Sequence, residues 1–213
     1  MRAYDHEPTA ARQHAVPYWF DLLCPFCYVA QPRNEVLERR GLEVVHLPFQ
    51  IHPEIPPGGI EAGPRNGPMY EMLEEEAARA GLPLAWPTRL PGTRTALSAA
   101  DWVRLHQPDA AAGFIKQLFA AHFALGEDIG DPRVVDRRAE ASGVDVQALR
   151  AALADGSARS ALARAEGLGR RAGVHATPSW LITGRLVSGL RPVSEYERLA
   201  DEVLGQVAGS TSG

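Results

Sequence analysis

Cysteine is almost absent: the 213 residues contain two, Cys24 and Cys27. So few exclude a disulfide scaffold, which spreads several cysteines along a chain. No run approaches 18 uncharged apolar residues, so no membrane-spanning helix and no membrane partner are expected. The stretch from Met1 to Gln13 carries Arg2, Asp5, His6, Glu7 and Arg12 but no apolar segment, which argues against a secretory leader and for a cytoplasmic address. An excess of positive charge is missing too. With 22 basic against 26 acidic side chains the net charge is −4, and the arginines are scattered among acids, so nucleic acid is not an expected partner. Internal repeats are absent.

What is present suits a folded chain of one domain, or of one domain with a large insertion: 45% hydrophobic and 23% charged residues lie near the globular average. His14 to Leu23 reads as a strand with Val16, Tyr18, Phe20 and Leu22 on one face and Trp19 and Leu23 on the other. Tyr28 to Arg40 reads as a helix closed by Gly41, with Pro25 in its first turn, and Leu42 to Ile51 as a second strand, parallel to the first. From about Pro64 the composition shifts to alanine, leucine and charge. Helices are expected over Met69–Ala80, Thr93–His106, Asp109–Leu125, Pro132–Ala141 and Val146–Ala172, the last broken near Gly156, with Thr93 and Asp131 as N-caps and no strand among them. Two short strands, Trp180–Ile182 and Leu186–Ser188, flank the turn residues Thr183, Gly184 and Arg185, and Val193–Val207 closes the chain as a helix. The sum is an α/β chain with a mixed four-stranded sheet and a large helical insertion.

The two cysteines form Cys24-Pro25-Phe26-Cys27 at a strand-to-helix junction. There a first sulfur meets free backbone N–H groups and the positive end of the helix dipole, which favour thiolate over thiol. A thiol of pKa about 8.5 is only some 3% ionised at pH 7, whereas one near 6 is about nine-tenths ionised. Cys24 is therefore the expected nucleophile. Cys27, one turn later on the same face, is placed to attack a mixed disulfide on Cys24. A zinc site would need further ligands, and the histidines at 6, 14, 46, 52, 106, 122 and 175 show no ligand spacing, so no metal is expected. A second constellation is Gly173-Val174-His175-Ala176-Thr177-Pro178, directly before a strand. With a cis Thr177–Pro178 bond, the backbone of Thr177 would face the cysteines and offer a docking edge to a substrate.

This order of segments resembles the thioredoxin fold with an inserted helical domain, and more narrowly the FrnE-like branch of the DsbA family. The likeness is carried by Asp21-Leu22-Leu23-Cys24-Pro25-Phe26-Cys27-Tyr28, Phe49-Gln50-Ile51-His52-Pro53, Leu118-Phe119-Ala120-Ala121-His122-Phe123 with Gly126 to Asp131, and Thr177-Pro178 to Gly189. It implies thiol-disulfide exchange with Cys24 attacking, Cys27 resolving and Pro178 in cis. A sister branch, the glutathione-dependent hydroxychromene-carboxylate isomerases and kappa-class glutathione transferases, shares an aspartate like Asp21 but carries serine at the first active position. The alternative function is thus a glutathione-dependent isomerase or transferase acting on a small aromatic or polyketide-like molecule. Thr177 departs from the aliphatic residue usual before the proline, His52 from an asparagine, Gly92 from a Pro-Asn-Thr run, and Tyr18 from a buried acid.

The expected layout is a discontinuous thioredoxin-like domain (14–60 and 173–207), a helical insertion (61–172) and flexible termini (1–13 and 208–213). Cys24 and Cys27 are the catalytic pair, with Pro25, Phe26, Thr177 and Pro178 contacting substrate. Asp21 and His175 are candidates for proton transfer or tuning, set against a structural hydrogen bond for Asp21 and a surface position for His175. His122, Trp86 and Trp102 are expected to serve packing. No bound cofactor is expected. The partners are a disulfide or dithiol substrate and an external electron donor or acceptor; glutathione is a candidate co-substrate and a homodimer a candidate assembly.

Overall fold

The computed structural model describes residues 14–210. Strand β1 (Ala15–Phe20) ends three residues before the expected Leu23, because the chain turns at Leu22 and Leu23 into helix α1 (Pro25–Val29). The helix expected over Tyr28–Arg40 is two: α1 breaks at Ala30, and α2 (Gln31–Arg39) restarts with Pro32 in its first turn. Proline has no N–H to continue a helix but costs nothing at its start. Strand β2 (Glu43–Pro48) then runs parallel to β1, in register from Ala15 opposite Glu43 to Phe20 opposite Pro48.

The inserted region comprises β3 (Ile60–Glu61), α3 (Pro68–Arg79), β4 (Arg89–Leu90), α4 (Arg94–His106), α5 (Pro108–Phe123), α6 (Pro132–Ala141), α7 (Val146–Asp155) and α8 (Ser157–Arg171). The expectation of no strand here needs correction: β3 and β4 pair antiparallel over two residues each, too few for alternation to register in the sequence. Asp131 caps α6, accepting from the Arg133 N–H at 2.9 Å, whereas Thr93 starts α4 with no side-chain cap bond. Gly156, at φ +83, both ends α7 and opens α8, a conformation that suits glycine. The hairpin of β5 (Ser179–Ile182) and β6 (Arg185–Ser188) turns at Thr183 and Gly184, and α9 (Val193–Ser210) continues past the expected Val207. The expected flexible segments at 1–13 and 211–213 lie outside the described residues; 208–210 are helical.

The sheet order is β2-β1-β5-β6, with β5 antiparallel to β1 and β6 antiparallel to β5. One face carries Val16, Tyr18, Phe20, Val44, Trp180 and Ile182, buried with Tyr28 and Val29 of α1, Leu37 of α2, Phe119 of α5 and Tyr196 of α9. The other carries Trp19 and Leu47, buried with Ala165 of α8 and with Val174. Gly169 lets α8 lie directly on this face: a Cβ there would stand 2.7 Å from the Phe49 ring and 2.9 Å from Trp19 Nε1. Both faces of β1 are therefore covered, and its C-terminal end delivers the chain to Cys24.

Candidate active site

Cys24 is the N-cap of α1, and Cys27 lies on the turn that follows, its N–H donating to the Cys24 carbonyl at 3.0 Å. Both thiols are free and buried, Cys24 4% exposed and Cys27 fully enclosed. The loop before β5 comes to them from the far end of the sequence. It is fixed by Val174 N–H donating to the Gly169 carbonyl (2.9 Å), Ser179 Oγ donating to the Ala176 carbonyl (2.8 Å) and Gly189 N–H donating to the Pro178 carbonyl (2.8 Å). The Thr177–Pro178 peptide is cis, and the Cys24 thiol donates to the Thr177 carbonyl at 3.1 Å.

Burial alone would raise the Cys24 thiol. Hydrogen bonds from the Cys27 side chain and from the Cys27 N–H help to outweigh it, so its pKa falls below the ordinary thiol value even with the Asp21 charge opposing. α1 is a single turn, so these local bonds explain the acidity better than the dipole of a long helix. Cys27 goes the other way: burial and the neighbouring Cys24 hold its thiol well above the ordinary value. The pair is thus an acidic sulfur at the opening and a protonated one behind it.

Asp21, fully buried, accepts from the Leu23 N–H (3.0 Å) and the Ile51 N–H (2.7 Å). It ties the Cys24 turn to the segment that follows β2, a structural role. Burial nevertheless pushes its carboxyl up to about 6, against the lowering effect of those two bonds. His175 is an exposed side chain at the rim of the site. His122 is buried beside Phe123 and Trp102 is buried against His106, packing roles as expected.

A cleft of about 460 Å³ opens over Cys24, walled by Leu23, Pro25, Phe26 and Ile51 on one side, Met69, Tyr70 and Leu90 from the insertion, and His175 to Thr177 from the proline loop. The structure thus brings Pro25, Phe26 and Thr177 around the nucleophile, whereas Pro178 is buried and does not line the cleft. It adds Arg65, missed in the sequence because it is a lone arginine between proline and asparagine. Its guanidinium lies 5.7 Å from the Tyr70 ring centre and 5.6 Å from that of Trp86, and it has no ion-pair partner among the described residues. Trp86 packs half-buried against the core, as expected, and also lies under this arginine, held by an Nε1–H bond to Glu74 at 2.7 Å. Among the described residues no cluster of His, Cys, Asp and Glu could hold a metal.

Residues 15–201 match the model of the DSBA-like thioredoxin domain. The chain belongs to this family. Its fold is the thioredoxin fold with an inserted helical region, similar to the crystal structure of the probable DsbA oxidoreductase SCO1869 from Streptomyces coelicolor at a TM-score of 0.79, with 21% identity and 90% of each chain covered. In sequence this DsbA-like chain is 23% identical to Bacillus subtilis (strain 168) YwbO, over 88% of its own length and 96% of that protein. It is 27% identical to the 2-hydroxychromene-2-carboxylate isomerase of Sphingobium xenophagum, over 63% of its own length and 71% of the isomerase.

Proposed function

We propose that the protein is a cytoplasmic dithiol-disulfide oxidoreductase. The observation that carries this reading is an acidic Cys24 held at 3.1 Å from the Thr177 carbonyl on the floor of an open cleft, with protonated Cys27 behind it. Acting as a reductant, the Cys24 thiolate attacks one sulfur of a substrate disulfide, forming a mixed disulfide and expelling the other sulfur as thiolate. Cys27 loses its proton and attacks Cys24, the Cys24–substrate bond breaks, and the second substrate thiolate leaves. Two electrons have passed to the substrate, and the protein holds a Cys24–Cys27 disulfide. Run backwards, the same steps oxidise a dithiol.

The chain has no third cysteine, so an external thiol must restore the pair. Two glutathione molecules would do so, leaving as glutathione disulfide. Arg65, a cation on the cleft wall with no ion-pair partner among the described residues, suits the carboxylates of such a co-substrate. Pro25, Phe26 and the backbone of Thr177 would hold the substrate against Cys24.

Reduction of insulin disulfides, coupled to glutathione and glutathione reductase, tests the reading. Cys24→Ser should reduce the rate to background and Cys27→Ser should lower it by at least about tenfold, a lost nucleophile being worth several decades. Equal rates in wild type and Cys24→Ser would refute it. The isomerase relative at 27% identity favours one alternative, a glutathione-dependent isomerase or transferase. That reading predicts glutathione-dependent turnover of an aromatic substrate by the Cys24→Ser, Cys27→Ser double variant.

A further inference from the structure

Cys27 has a second side. Away from the substrate cleft, Cys27 also lines a separate cavity of about 50 Å³, together with Tyr18 of β1, His46 of β2, Asn34, Glu35 and Glu38 of α2, and Lys116 of α5. The inner end is buried, with Cys27 and Tyr18 at most 1% exposed, while Glu38 and Lys116 at the other end are exposed. Lys116 Nζ and Glu35 Oε1 form an ion pair at 3.0 Å across the mouth. The space exceeds what one water needs, and its wall carries enough polar atoms to hold one or two.

The wall chemistry is directional. His46 Nδ1 stands 3.1 Å from its own strand's Val44 carbonyl, so the proton sits on Nδ1 and Nε2 keeps a lone pair. Asn34 Oδ1 accepts from Trp180 Nε1 at 2.8 Å, so the Asn34 amide must donate with Nδ2, which lies 3.5 Å from His46 Nε2. The Tyr18 hydroxyl is buried and has no hydrogen-bond partner among the described residues. A buried hydroxyl without a partner is costly, and a thiolate at Cys27 or a water in the cavity would supply one.

We propose that this cavity is the proton exit of the resolving step and that Tyr18 is its positioning residue, its hydroxyl donating to the Cys27 sulfur as that sulfur becomes a thiolate. The inference rests on the exchange function proposed above. As Cys27 attacks Cys24, its proton passes to water in the cavity and leaves between Glu38 and Lys116. The Cys24–substrate bond breaks, and the departing thiolate is protonated by solvent on the cleft side. Protons and substrate thus use opposite doors. The charged and titratable groups around the path are Glu35, Glu38 and Lys116 at the mouth, His46 on the wall with Arg104 behind it, Cys24 on the cleft side and Tyr196 beyond Tyr18. Burial keeps the Tyr18 hydroxyl protonated, as the role of donor requires.

The test reacts the reduced protein with 5,5′-dithiobis(2-nitrobenzoate) in stopped flow. The first thionitrobenzoate released reports attack by Cys24 and the second reports resolution by Cys27. Tyr18→Phe, which removes one oxygen, should leave the first phase within twofold of wild type, slow the second about tenfold at pH 7, and recover it as the pH is raised. Ala112→Leu, a larger side chain on the exposed rim of the cavity, should slow only the second phase. A second phase unaltered in both variants, or both phases slowed equally, would overturn the proposal. Absence of a second phase in the wild type would instead refute the exchange function itself.

Discussion

At the scale of single residues, the acidity of Cys24 rests on few groups, and two can be removed by single substitutions. Cys27→Ala deletes the side-chain donor to the sulfur; iodoacetamide should then alkylate Cys24 about tenfold more slowly below neutral pH, since a hydrogen bond to a charged group is worth about 1.5–3 kcal/mol. Asp21→Asn removes a charge that opposes the thiolate, so the pH midpoint of alkylation should move down, although loss of one backbone acceptor will cost stability. Unchanged profiles in both variants would mean that other groups set the acidity. Cys24, Cys27 and the Thr177–Pro178 pair were legible in the sequence because each lies in a short local pattern at an element boundary. Arg65, His46 and Asn34 were not, for their importance depends on which distant side chains meet them. Tyr18 was visible only as a departure from an acid. The Thr177 hydroxyl drew attention as an unusual group, and its carbonyl proved to be the atom that meets Cys24 in the reduced pair.

At the scale of elements, the joint between α8 and the sheet holds the proline loop, because Gly169 at the contact also accepts from Val174 at the loop's start. Gly169→Ala should therefore destabilise the fold by about 1–3 kcal/mol, the usual range for overpacking, despite alanine's better helix propensity. Urea denaturation checks this, and a stabilised variant would show that Phe49 and Trp19 yield freely. The four sheet strands and most helices could be read from periodicity, glycine stops and proline starts. The division of the first helix at Ala30 was missed although Pro32 announces it, because Tyr28 to Arg40 keeps a continuous apolar face through the break. The β3–β4 ribbon escaped because two-residue strands have no period. It matters nonetheless, for Leu90 at its end lines the cleft.

Over the whole molecule, buried titratable groups set a pH dependence of definite sign. Burial lowers His46 and His122 to about 4 from 6.5, so their contribution is complete above the unfolded value and is lost as pH falls toward 4. Asp21, raised to about 6 from 3.8, works oppositely: its contribution is complete below 3.8 and is lost as pH rises through 6. Each shift is worth about 3 kcal/mol, so two histidines outweigh one aspartate and stability should drop by about 3–4 kcal/mol between pH 7 and pH 4. His122→Gln should remove most of that drop, and equal stability at the two pH values would contradict the assignment. Function also depends on the assembled whole, since nucleophile, docking carbonyl and Arg65 come from three segments that only the fold unites. The most direct test of that union is to trap the intermediate: Cys27→Ala incubated with a disulfide peptide and analysed by mass spectrometry of its fragments. A mixed disulfide on Cys24, absent from Cys24→Ala, is the predicted result; a peptide adduct on Cys27, or no adduct at all, would contradict the account.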